Sequence, residues 1–148
     1  VTSLVHATCV ALPLRGKRWR GALLRGPSGA GKSDLAARLI ESGARLVADD
    51  QTVLARQGRR IIGSAPATLA GLLEVRGVGI VKLGRGQLLA RVSVGLLVDL
   101  VPPERIERLP EPAREALLGL ELPVLALAPF EASAGAKLRL AVAQIAAA

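Results

Sequence analysis

An α/β domain with a mixed, strand-rich sheet is predicted by three observations. Apolar runs of strand length outnumber helical stretches, one such run feeds directly into a glycine-rich turn and then a helical pattern, and aromatic residues are nearly absent. The chain has 148 residues, which suits one compact core, so residues 1–148 are read as a single domain. Hydrophobic residues make up 51% of the chain but aromatics only 1%, so the core must be built from Leu, Val, Ile and Ala, and disorder is excluded.

The elements follow in order. Residues 2–14 and 21–25 are apolar runs separated by Arg15, Gly16, Lys17, Arg18, Trp19 and Arg20, which reads as two strands joined by a basic turn. Over residues 33–42, Leu35, Ala36, Leu39 and Ile40 fall at helical spacing, and Gly43 stands where a helix C-cap glycine belongs. Residues 45–48 form a short apolar strand that ends in Asp49 and Asp50, and 52–55 continue beyond it. Gly58, Gly63 and Pro66 mark turns around a strand at Ile61 and Ile62. The apolar stretch 69–75 is closed by Arg76-Gly77-Val78-Gly79 and followed by a strand at 80–83. Residues 88–100 supply one long strand or two short ones. Prolines between 102 and 112 break any long helix, 113–120 has helical composition, and 123–128 reads as a last strand. Residues 134–148 are Ala-rich with an apolar face at Leu138, Ala141, Val142 and Ile145, a closing helix.

Composition narrows the partners. No apolar stretch reaches the ~18 residues that span a bilayer, and the run before Arg15 has neither a basic leader nor a cleavage site, so a soluble cytoplasmic protein without membrane contact is expected. Cys9 has no second cysteine to pair with and is expected to be a buried thiol. The formal charge is +8, and Arg15, Lys17, Arg18 and Arg20 could attract nucleic acid, an acidic protein or phosphates, or could simply be a solvated turn. Trp19 is the only tryptophan and the chain has almost no other aromatics, so there is no stacking platform and nucleic acid is a minor hypothesis.

The chemistry begins at Gly26-Pro27-Ser28-Gly29-Ala30-Gly31-Lys32-Ser33, which satisfies the pattern of a glycine, four residues and Gly-Lys-Ser. Glycines let successive N–H groups turn toward one centre, and the helix that follows adds its partial positive N-terminus, so the loop encloses phosphate oxygens. Lys32 brings a full charge for the β- and γ-phosphates, and the Ser33 hydroxyl is positioned for Mg²⁺. The expected fold is thus a P-loop nucleotide-binding domain using ATP and Mg²⁺. Such a site needs an acidic residue at the end of a neighbouring strand, and Asp49 with Asp50 or the lone Asp99 qualifies. Neighbouring residues of an extended chain face opposite ways, so the pair can aim one carboxylate at the metal and the other at a reactant. Glu74 lies in an apolar run beside Arg76, and functional and structural readings of it stand level. His6, the only histidine, reads first as a packed strand residue.

Taken together, His6-Ala7-Thr8, the phosphate loop with Asp34-Leu35, Val47-Ala48-Asp49-Asp50 and Leu73-Glu74-Val75-Arg76-Gly77-Val78-Gly79-Ile80 resemble the HPr kinase/phosphorylase catalytic domain, in a short form without the separate N-terminal domain. The likeness covers about residues 4–83. It implies a core like that of phosphoenolpyruvate carboxykinase, ATP-dependent phosphorylation of a serine on an HPr-like phosphocarrier protein, reversal by inorganic phosphate, and a homo-oligomer, hexameric in the family. By position it implies Asp49 as the proton acceptor, Asp50, Ser33 and Glu74 as metal ligands, His6 near the transferred phosphate, and Lys32 and Arg76 supporting the same site. Two departures stand out: residues 129–137 lack the Gly-Arg-Asn run of longer members, and the basic segment at Arg15 to Arg20 exceeds a tight turn. A nucleotide-sensing module without transfer activity, or another small P-loop kinase or NTPase, would share the loop. The latter leaves the run from Glu74 to Ile80 unexplained.

Overall fold

The computed structural model describes residues 2–147, excepting the side chain at 147; residues 1 and 148, the ends of the expected domain and of its closing helix, lie outside the described residues. Eleven strands and two α-helices follow in the order β1 (Thr2–His6), β2 (Thr8–Pro13), β3 (Trp19–Arg25), α1 (Lys32–Glu41), β4 (Arg45–Ala48), β5 (Gln51–Gln57), β6 (Arg60–Ser64), β7 (Leu72–Val75), β8 (Gly79–Lys82), β9 (Arg91–Leu100), β10 (Ala113–Leu117), β11 (Leu120–Leu127) and α2 (Ala134–Ala147). The main sheet runs β1-β5-β6-β9-β3-β2-β4, and β11 joins β9 and carries β10 outside it. It is mixed, as expected: β3 and β11 lie parallel to β9, and the other pairs are antiparallel.

The long strand β9 organises the sheet. Its first half pairs with β6 and its second half with β11, while β3 lies along its other edge. That is why residues 91–100 read as a nearly continuous buried run rather than an alternating one. Two aliphatic cores result. One lies between the sheet and the helices, with Leu24, Leu35, Leu39, Leu138 and Val142; the other fills the opposite, curled face, with Cys9, Leu23, Leu54, Ile61 and Leu97.

Helix α1 forms where its apolar positions predict, burying Leu35, Ala36, Leu39 and Ile40, and each fully buried leucine contributes roughly 1.5–3 kcal/mol relative to exposure. It ends in paired bonds, Gly43 N–H to Ile40 O (3.1 Å) and Ala44 N–H to Leu39 O (3.0 Å), with Gly43 at φ +106°, a backbone only glycine adopts without penalty.

Two sequence expectations change, and one pairing that sequence left open is settled. The first apolar run is broken at Ala7 into β1 and β2, which serve different neighbours, β5 and β3. Residues 113–120 are not helical: β10 and β11 form a hairpin through Leu118 (φ +49°) and Gly119 (φ +82°), the left-handed pair that a two-residue hairpin turn requires. Helix-favouring Ala, Arg, Glu and Leu yield there to the ladder with β11, because propensity differences per residue are small beside tertiary pairing. Last, β7 and β8 form a hairpin of their own, outside the main sheet. No helix among the described residues is long and apolar enough to cross a membrane.

Candidate active site

Strand β3 ends at Arg25 and delivers the glycine-rich loop to the start of α1. Gly29 and Gly31 have φ of +85° and +104°, and a Cβ on Gly31 would lie 2.8 Å from the Phe130 ring, so the turn requires glycine twice over. Lys32 is buried, and its Nζ donates to Gly26 O (2.7 Å) and Pro27 O (3.0 Å). The ammonium is held inside the loop that it is expected to share with phosphate.

Asp49 closes β4 and is only 8% exposed. Its Oδ1 accepts from the Ser33 hydroxyl (2.6 Å) and from the Thr8 hydroxyl (3.1 Å), and its Oδ2 accepts from the Glu74 N–H (3.0 Å). The Thr8 oxygen accepts in turn from the Asp50 N–H (3.0 Å). Asp50 turns the other way: it is exposed, and the His6 Nε2–H donates to its Oδ1 at 2.7 Å. Ionised carboxylates only accept, so the imidazole is the donor. The divergence arises from a three-residue turn rather than from strand alternation. Gln51 N–H donates to Asp49 O (2.6 Å) around Asp50, whose φ is +63°, the rarer and more strained hand for such a turn.

The sequence-expected residues therefore fall into two groups. Gly26, Pro27, Ser28, Gly29, Ala30, Gly31, Lys32 and Ser33 form the loop, and Asp49, Asp50 and His6 are tied to it through Ser33 and Thr8. Glu74 reaches the cluster by its backbone, while its side chain is exposed on β7; Arg76 is exposed in the turn that joins β7 to β8. Among the described residues no three His, Cys, Asp or Glu side chains converge closely enough to hold a metal ion by themselves. Asp99 is engaged elsewhere, accepting from Arg25 Nε at 2.8 Å. Thr8 is the residue that sequence reading left without a role. A fully buried hydroxyl beside a carboxylate pair carries no spacing signal, although Thr8 belongs to the motif from His6 to Thr8.

A strand that feeds a Gly-x-x-x-x-Gly-Lys-Ser loop into a helix, with a carboxylate on the loop serine, defines a P-loop nucleotide-binding protein. The family model of the HPr Serine kinase C-terminal domain matches residues 4–138, and the chain belongs to that family. It is 38% identical over 116 residues to an HPr kinase/phosphorylase of Geobacillus thermodenitrificans, covering 72% of this chain and 38% of that protein. It is 42% identical over 85 residues to one of Latilactobacillus sakei, covering 54% and 27%. The chain thus spans well under half the length of these relatives. The solved structure of the HPr(Ser) kinase/phosphatase from Coxiella burnetii superposes with a TM-score of 0.77 at 27% identity, covering 98% of this chain and 94% of that one.

Proposed function

We propose that residues 1–148 act as one ATP- and Mg²⁺-dependent protein-serine kinase domain in the cytoplasm, that the acceptor is an HPr-like phosphocarrier protein, and that inorganic phosphate reverses the transfer. The observation that carries this reading is the splayed carboxylate pair, with Asp49 on the phosphate-loop serine and Asp50 on His6. Family membership and the names of the relatives support the acceptor.

Mg²⁺ favours hard oxygen donors and keeps much of its shell as water and substrate phosphate, which suits the Ser33 hydroxyl and the Asp49 carboxylate without a third carboxylate. The two aspartates then take the roles opposite to those expected from sequence: Asp49 serves the metal and Asp50 the proton. Lys32 would exchange its bonds to Gly26 O and Pro27 O for the β- and γ-phosphate oxygens, neutralising charge where it develops. In the forward step the acceptor serine oxygen bonds to the γ-phosphorus as the bond from that phosphorus to the β–γ bridging oxygen breaks. ADP departs, and the serine proton passes to Asp50, held in position by His6. In reverse, an inorganic phosphate oxygen bonds to the phosphoserine phosphorus as the bond from that phosphorus to the serine oxygen breaks, pyrophosphate departs, and Asp50 returns the proton to the serine oxygen. Glu74, whose N–H donates to Asp49 Oδ2, would offer a carboxylate toward the metal, and Arg76, two residues further on, would offer a cation toward phosphate.

Incubation with γ-labelled ATP, Mg²⁺ and HPr tests the proposal. Label is expected on an HPr serine, and added unlabelled phosphate should move it into pyrophosphate. Labelled orthophosphate as the only product would leave an NTPase and remove HPr as acceptor.

A further inference from the structure

We infer that Phe130 is the stacking face for the base of the nucleotide whose phosphates fill the loop. The inference rests on the nucleotide reading of that loop and adds the group that tells a nucleotide from bare polyphosphate. The chain has one phenylalanine, one tryptophan and no tyrosine. Phenylalanine is ordinarily among the residues most often buried. Here the ring is 69% exposed, although Pro129 beside it is buried. It stands in the segment 129–137, where this chain departs from the Gly-Arg-Asn run of longer members.

Topology brings that ring to the phosphate-loop edge of the sheet. Strands β3 and β11 run parallel to β9, one on each side, and Arg25 and Ala126 stand opposite the same residue, Asp99. The chain therefore leaves β3 and β11 nearly level, about 10 Å apart across two strand spacings. Ligands of parallel strands bind outside their carboxyl ends. Trp19 begins β3 at the opposite edge, which leaves Phe130 as the aromatic of this one. Contact with the loop is direct: ring atoms Cζ and Cε1 lie 2.8 and 3.2 Å from where a Gly31 Cβ would be. The backbone beneath the ring is anchored, since Arg38 donates through Nη2 to Pro129 O and through Nε to Asp34 Oδ2 at 3.0 Å. Pro129 is thus tied to the first turn of α1, and the ring is held as a flat apolar face against the loop. A nucleotide whose phosphates occupy the loop carries its base out past the rim, where this face is presented. Stacking reads the face of a base and not its edge, so Phe130 favours nucleotides over bare polyphosphate and serves ATP and GTP alike.

Calorimetry with Mg-ATP, Mg-GTP and Mg-tripolyphosphate tests this, the last carrying phosphates and no base. Phe130→Ala, at an exposed position, is expected to weaken both nucleotides roughly tenfold and to leave tripolyphosphate binding as it is in the parent. Phe130→Trp should bind both nucleotides at least as tightly as the parent. Unchanged nucleotide affinity in Phe130→Ala would overturn the inference. So would an equal loss for tripolyphosphate, which would make the ring a prop for Gly31, or a loss for one nucleotide alone, which would mean an edge contact instead of stacking. Lys32→Ala keeps the two levels apart: nucleotide binding indifferent to that substitution would sink the phosphate-loop reading itself, whereas binding lost in Lys32→Ala but indifferent to Phe130→Ala would sink only the role of the ring.

Discussion

Asp50 sits at φ +63°, a conformation that costs a non-glycine residue on the order of 1–3 kcal/mol. Its consequence is chemical: two consecutive carboxylates leave the chain in different directions, and each meets its own partner. Asp50→Asn is expected to retain Mg-ATP binding while transfer falls by roughly 10²–10⁴-fold, the usual weight of a general base. Asp49→Asn should instead raise the Mg²⁺ requirement. Single-turnover transfer and Mg²⁺ titration of both variants check this, and the opposite pattern would restore the roles expected from sequence. Thr8 links the pair by donating to Asp49 and accepting from Asp50. Thr8→Val keeps the shape but strands the Asp50 N–H, at a cost of about 1–3 kcal/mol, while Asp49 Oδ1 keeps the Ser33 hydroxyl. As a positioning residue it should lower kcat more than it raises KM for ATP, and Thr8→Ser should rescue. A variant that is merely less stable, with unchanged kcat, would assign Thr8 a purely structural part.

At the scale of elements, Arg25 is the joint between the loop strand and the outer hairpin. Its Nε donates to Asp99 at 2.8 Å, and its two terminal nitrogens donate to Glu115 at 2.6 and 2.9 Å, a bidentate pairing that fixes orientation as well as charge. Hydrogen bonding to Arg25 holds the Glu115 carboxyl below the usual carboxylate range, and the Arg25 guanidinium is in turn held more firmly protonated, chiefly by Glu115. A lowered folded pKa contributes stability above the unfolded value, lost as pH falls through the folded one. Hydrogen-exchange protection of β10 should therefore drop below about pH 4.5, the ordinary carboxylate value, and Arg25→Gln should flatten that acid limb. Equal acid sensitivity in the variant would show that the pair does not hold the hairpin. The effect is modest, since Glu115 is 45% exposed and solvent screens it. Pro123 illustrates the same economy of pairing: it stands in β11 just before the ladder to β9 begins at Val124, where a missing N–H leaves that ladder intact.

Across the whole molecule the sheet separates two aliphatic cores, and Cys9 lies in the one on the curled face, fully buried. Burial pushes its thiol up to about 12 from 9.0, because the thiolate would lose its hydration. The raised value contributes stability that is complete below about pH 9 and lost as pH climbs toward 12, since the unfolded chain releases the proton first. The unfolding free energy from urea titration should fall more steeply between pH 9 and 10.5 in the parent protein than in Cys9→Ala, by up to about 1.4 kcal/mol per pH unit. A thiol reagent at pH 8 should modify Cys9 only after unfolding. Prompt labelling of the folded protein would contradict this burial.

The sequence by itself determined the phosphate loop, helix α1 and the carboxylate pair, because these rest on local rules: glycine freedom, 3.6-residue spacing and a strand that ends in charge; the family came instead from the resemblance of its motifs, above all the run from Glu74 to Ile80. Tertiary structure decided the rest. Whether Asp49 or Asp50 meets Ser33 depends on a turn closed against Thr8, forty-one residues before Asp49 in sequence. Whether residues 113–117 are helix or strand depends on an edge that β11 supplies. Whether the basic segment is a solvated turn or the wall of a cleft depends on Arg60 and Arg91, brought there from β6 and β9. Each of these turns on a long-range contact, and a contact between distant residues leaves no periodicity in the chain for composition or spacing to reveal.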